Sequence, residues 1–89
     1  MVINIKDVYN DANKNIKENI IGEYINTPTI RLVLVQARDL ERILNPNERT
    51  ISLRHCLINK YIIQQKSKYK ITPEGVKALG IIEEYIKNR

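Results

Sequence analysis

Three prolines constrain this 89-residue chain more than any other feature. Proline has no backbone N–H and holds φ near −65°, so it is tolerated at the first turn of a helix or in a turn and not in element interiors. It also drives the residue before it away from helical geometry. Pro28, Pro46 and Pro73 therefore impose boundaries at Asn26-Thr27-Pro28, at Asn45-Pro46-Asn47 and at Thr72-Pro73. Each stretch between them has to find its own periodicity.

In the first stretch, Ile5, Val8, Tyr9, Ala12, Ile16, Ile20 and Tyr24 recur at three- and four-residue spacing, with Ile21 and Ile25 widening the stripe. This predicts a helix over about 5–26, with Asn4 as N-cap. Asn10–Asn15 is a poor helix former and a point where that helix either breaks or begins. Residues 30–35, IRLVLV, read in two ways. Their β-branched content favours a short strand, followed by a helix over 36–44. Val33, Ala37, Leu40 and Leu44 also keep helical spacing, which allows one helix from Thr27-Pro28 to Leu44.

The stretch after Pro46 predicts a helix over about 50–60, with Leu53, Cys56, Leu57 and Tyr61 as an inward stripe. Ser52, His55 and Asn59 then share another face, flanked by Arg54. Ile58 does not fit a purely polar outer face. Ile62–Gln65 and Tyr69–Thr72 read as two strands around a Lys66-Ser67-Lys68 hairpin loop. Thr72 reads as N-cap, Pro73 as the first helical residue and Glu74 as a first-turn acid, opening a helix over about 73–88. Val76, Leu79, Ile82 and Ile86 form its apolar face, beside Ile81 and Tyr85. That is more apolar surface than one small core needs, and it predicts a homodimer interface through Leu79, Ile82, Tyr85 and Ile86. Gly80 is expected to permit a close helix–helix approach.

At this length the chain is expected to form one domain spanning residues 1–89, an α+β fold that is mainly α. An apolar fraction of 43% beside 28% charged residues argues against wholesale disorder. No apolar run approaches the ~20 residues of a membrane span. The N-terminal residues lack the pattern of a signal peptide. A single cysteine, Cys56, excludes an internal disulfide and reads as a small core residue. These features together lead to the expectation of a cytoplasmic protein. With one His, one Cys and no Gly-rich phosphate loop, no metal, cofactor or catalytic activity is expected.

The net positive charge comes from one region. Residues 49–72 carry Arg49, Arg54, Lys60, Lys66, Lys68 and Lys70 and no acid, a charge of +6. The whole chain carries +5, so everything outside that segment sums to −1. Solvated surfaces normally mix both signs. A local block of one sign is the electrostatic footprint of a polyanion-binding face.

The order helix, short strand, helix, turn, helix, hairpin, helix resembles the winged helix-turn-helix domain. The likeness is strongest at KYIIQQKSKYKITPEGVKAL (60–79). There, Tyr69, Ile71, Thr72, Gly75 and Leu79 reproduce the Y-x-[IL]-T-x-x-G-x-x-x-L end of the wing in small archaeal and bacterial regulators of the MarR, PadR and ArsR type. VQARDLERIL (35–44) resembles the helix before the turn, and SLRHCLINKYI (52–62) the recognition helix and its passage into the wing. Those families usually place Gly before the first wing strand. Here the chain has Asn59-Lys60-Tyr61, and Asn tolerates the left-handed conformation needed.

The resemblance implies a three-helix core, a two-stranded wing over about 62–72 and an additional C-terminal helix. It implies a recognition helix in the major groove of double-stranded DNA. Ser52, Arg54, His55 and Asn59 are then the base-contact candidates. Arg38, Arg49, Lys60, Lys66, Lys68 and Lys70 are the phosphate-contact candidates. The function so implied is transcriptional regulation by a sequence-specific DNA-binding dimer. A winged-helix module that docks onto another protein in a transcription, replication or membrane-remodelling complex is the alternative.

Overall fold

A computed structural model describes residues 5–89, with side chains from Asn15 onward. The N-cap expected at Asn4 lies outside the described residues. Four α-helices and one antiparallel two-stranded sheet make an α+β, mainly helical fold, a layout compatible with that of a winged helix. Helix α1 is Ile5–Asn26 and runs unbroken through Asn10–Asn15. Helix α2 is Thr29–Leu40, and a short 3-10 turn over Pro46–Arg49 leads into α3, Thr50–Ile58. Strands β1 (Ile62–Gln65) and β2 (Lys68–Ile71) precede α4, Pro73–Lys87. Among the described residues, no helix is long and apolar enough to cross a membrane.

Residues 30–35 are helical, which corrects the expected strand. Ile30, Val33, Leu34 and Ala37 are all buried to 1% exposure or less, at the i, i+3, i+4, i+7 spacing of one helix face. A strand would bury alternate residues and leave half of that set in water. Each full burial of such a side chain stabilises by about 1.5–3 kcal/mol, which outweighs the small helix penalty of β-branched residues. The helix stops at Leu40 rather than Leu44, because Glu41 turns left-handed at φ 50°.

The loop after α2 is pinned at several points. The buried Gln36 Oε1 accepts from the Leu44 N–H at 2.8 Å, so this polar side chain is satisfied inside the core. Arg49 Nη1 donates to the Leu44 and Asn45 carbonyls at 2.6 and 3.3 Å. The Tyr69 N–H donates to the Glu41 carbonyl at 3.0 Å and ties β2 to the end of α2.

Helix α4 packs against both α1 and α2. It buries Ala78, Leu79, Ile81 and Ile82, while Tyr85 meets Tyr24 edge-on at 6.2 Å between ring centres. This accounts for the apolar surplus of α4. Leu79 (3% exposed) and Ile82 (1%) belong to the protein's own core and are not available as a dimer surface. Tyr85 and Ile86 are half-buried on the same packing. Val76, expected on the inner face, is exposed. Gly80 is exposed, and a Cβ there would meet nothing within 4 Å, so it serves no close approach.

The glycine that does serve one is Gly75. A Cβ there would lie 2.0 Å from the Tyr61 carbonyl oxygen and 2.7 Å from Ile71 Cγ1. Thr72 sits beside it as N-cap, its Oγ1 accepting from the Gly75 N–H at 3.0 Å. The same hydroxyl lies 2.5 Å from the Lys60 carbonyl and 3.0 Å from that of Tyr61, and the Thr72 N–H donates to Tyr61 O at 2.9 Å. The Thr-x-x-Gly spacing thus clasps the start of α4 to the chain segment that leaves α3.

Candidate nucleic-acid interface

Helix α3 and the β1–β2 hairpin carry the acid-free segment, and local geometry decides which of its side chains reach solvent. Ser52 and Cys56 lie one turn apart, so the face that buries Cys56 also buries Ser52 (1% exposed) against the Thr29 hydroxyl. Ser52 is therefore not available to a base edge, a correction to its expected role. Burial pushes the Cys56 thiol up to about 12, which suppresses the thiolate and suits a core residue.

His55 projects from α3 towards Glu23 of α1. Its Nε2 lies 3.3 Å from Glu23 Oε2, without the alignment of a hydrogen bond, and its ring stands 6.2 Å from that of Tyr61. The Tyr61 hydroxyl donates to the same Glu23 oxygen at 3.0 Å. Burial, and then that hydrogen bond, raise the Tyr61 pKa. His55 is thus directed towards α1 rather than straight outward. Glu23, which the sequence did not single out, is the residue that draws it there.

Asn59 is exposed at the end of α3, where its Nδ2 donates to the His55 carbonyl at 2.9 Å. It caps the helix at φ −82°, and the left-handed residue is Lys60 at φ 60°. The Tyr61 N–H bonds Cys56 O at 2.9 Å and the Lys60 N–H bonds Leu57 O at 3.2 Å. This is the paired hydrogen bonding of a Schellman motif, with Lys where Gly is commonest. The expectation that Asn59 makes the turn is corrected by one position.

Arg54 is exposed in the middle of α3. On either side of it stand Ile51, 76% exposed, and Ile58, 71% exposed. With Ser52 and Cys56 inward, positions 51, 54 and 58 fall on the opposite face. The same spacing that marks Ile58 as an apolar residue on the outer face also places Ile51 there beside Arg54, and for Ile51 that signal was missed.

The hairpin turns through two residues, Lys66-Ser67, rather than three, since Gln65 pairs with Lys68. Lys66 takes the left-handed position at φ 56°. The register also pairs Ile63 with Lys70 and Ile62 with Ile71. Side chains directly opposite share a face, so Ile63, Gln65, Lys68 and Lys70 lie on the outer one. Ile62, Tyr69 and Ile71 pack on the core.

The remaining cations divide into engaged and unengaged. Arg49 is half-buried and held by loop carbonyls. Arg38 makes a two-pronged pair with Asp39 at 2.8 and 3.2 Å, which holds that carboxyl below its ordinary range. Lys68 Nζ lies 3.6 Å from Glu41, both well exposed. Among the described residues, Arg54, Lys60, Lys66 and Lys70 have no carboxylate within ion-pair distance. No group of three or more His, Cys, Asp or Glu side chains among them is placed to hold a metal ion. Comparison with protein-family models, curated proteins and solved structures finds no match to this chain.

Proposed function

We propose that this protein binds double-stranded DNA sequence-specifically as a transcriptional regulator, with α3 in the major groove and the β1–β2 wing on the backbone. The observation that carries this reading is the exposed set Arg54, Lys60, Lys66 and Lys70, with no carboxylate in ion-pair distance among the described residues, joined by the exposed Lys68 beside Glu41 and spread over α3, its exit and the wing. Arg54 is the base-edge group, suited to a guanine O6/N7 pair. The lysines are the phosphate-contacting groups, with the left-handed Lys66 at the wing tip. Two copies on one site would double these contacts, using a surface other than Leu79 and Ile82. Docking onto another protein is the competing reading, favoured by the exposure of Ile51 and Ile58.

Fluorescence anisotropy on sites selected from random duplex DNA tests the proposal. A complex with about 6–10 phosphate contacts loses roughly 10³–10⁵ in affinity between 50 and 200 mM salt. Replacing Lys66, Lys68 and Lys70 by Gln should lower the slope of log K against log salt by about one for each phosphate left without its lysine. Binding indifferent to salt, or selection that returns no consensus, overturns the DNA reading.

A further inference from the structure

The outward face of α3 combines two features that are rarely neighbours. Ile51 and Ile58 are the two most exposed large apolar side chains among the described residues, at 76% and 71%. They stand on the helix that opens the acid-free segment, with Arg54, which has no carboxylate within ion-pair distance among the described residues, between them. Seven residues at 100° each bring them within about 20° of the same azimuth, and the rise separates them by about 10.5 Å. Together with Thr50, Arg54 and His55 they border a shallow depression of about 280 Å³.

Resting on the DNA-binding reading above, we infer that Ile51 and Ile58 read thymine. Each packs on the 5-methyl group of a thymine in the major groove, the two methyls standing up to about three base pairs apart, and Arg54 takes a guanine between them. Side chains about 10.5 Å apart along a helix in the groove reach bases a few steps apart, at most about three of the 3.4 Å steps along the duplex axis. The chemistry follows from the groove, where the thymine methyl is the apolar group that a base edge presents. Charge complementarity decides the occupant. The pair flanks Arg54, and the segment 49–72 to which all three belong carries +6 and no acid, a one-sign field that a polyanion complements. A polyanion that carries methyl groups at base-pair intervals satisfies both requirements.

The test substitutes deoxyuridine for each thymine of a selected duplex, which deletes the 5-methyl and leaves the pairing edge and the phosphates unchanged. Two positions up to about three base pairs apart should each lose about fourfold in affinity, the effect of burying one methyl-sized group. Ile51→Ala should abolish the thymine–uracil difference at one of these positions and Ile58→Ala at the other. Neither should change the salt slope, because neither side chain meets a phosphate. Both are exposed on a helix, where Ala is well tolerated, so the variants should fold.

Salt-dependent binding with no effect of deoxyuridine at any position overturns the thymine assignment and leaves DNA binding standing. No binding at 50 mM salt overturns both. Unchanged DNA affinity and discrimination in the Ala variants, with a wild-type dimer that either variant dissociates in sedimentation, assigns the stripe to self-association instead.

Discussion

Gly75→Ala tests the central packing contact of the fold. The new methyl would lie 2.0 Å from the Tyr61 carbonyl oxygen, 2.7 Å from Ile71 Cγ1 and 2.9 Å from the Tyr61 carbonyl carbon. Two of these three neighbours are backbone atoms, so no rotamer change relieves the clash. The start of α4 would have to move off the segment leaving α3, and the Thr72 clasp would open with it. Overpacking costs about 1–3 kcal/mol and loss of an N-cap about 1 kcal/mol, for about 2–4 kcal/mol together. A domain of this length has about 5–13 kcal/mol to lose. At about 4–8 °C per kcal/mol, Tm should fall by roughly 10–30 °C. Gly80→Ala is the internal control on the same helix: its Cβ meets nothing within 4 Å, and it should gain about 0.5–1 kcal/mol from helix propensity. Thermal and urea unfolding followed by circular dichroism reads both variants. Equal shifts of the same sign would refute the clash, because propensity alone would then describe both positions.

The remaining predictions concern the caps and the buried thiol. Lys60→Gly should stabilise by about 1 kcal/mol in urea unfolding, since Gly adopts the φ 60° of Lys60 without a Cβ penalty. No gain would mean that this turn carries no strain. Thr72→Ala should cost about 1–2 kcal/mol, because the Gly75 N–H loses its acceptor and two carbonyls lose a donor. Cys56 should resist a thiol reagent at pH 8 until the protein unfolds, and labelling at the native rate of a free thiol would contradict its burial. Burial raises the Cys56 thiol from 9.0 to about 12, so the unfolded chain ionises first. That contribution to stability is complete below pH 9 and is lost as pH rises towards 12. Tyr61, also raised, acts in the same direction, and Cys56→Ala should flatten the alkaline decline in part.

Local chemistry was legible in the residues. Thr72-Pro73 opens α4 with its hydroxyl cap in place, and the antiparallel pairing of Ile62–Gln65 is evident from its composition and flanks. The cation block 49–72 was equally plain, because charge sums along the chain without knowledge of the fold. The strand-like reading of residues 30–35 failed because β-branched content is a weak preference, while the burial of Ile30, Val33, Leu34 and Ala37 depends on the elements that close over them. Ser52 and His55 looked like neighbours of Arg54, yet Ser52 meets Thr29 and His55 faces Glu23. Those partners lie 23 and more residues away, beyond the reach of helical spacing.

The two glycines of α4 mark the division most clearly. Sequence alone shows that both weaken a helix and that one stands three residues after a Thr cap. Only the tertiary structure shows that Gly75 is held against the Tyr61 carbonyl while Gly80 faces open space. The same holds for the apolar surplus of α4, which packs against α1 and α2. Capping, turn and charge are set by neighbours in the chain. Access to a surface is set by what packs over it, and in this protein the packing partners come from elsewhere in the sequence.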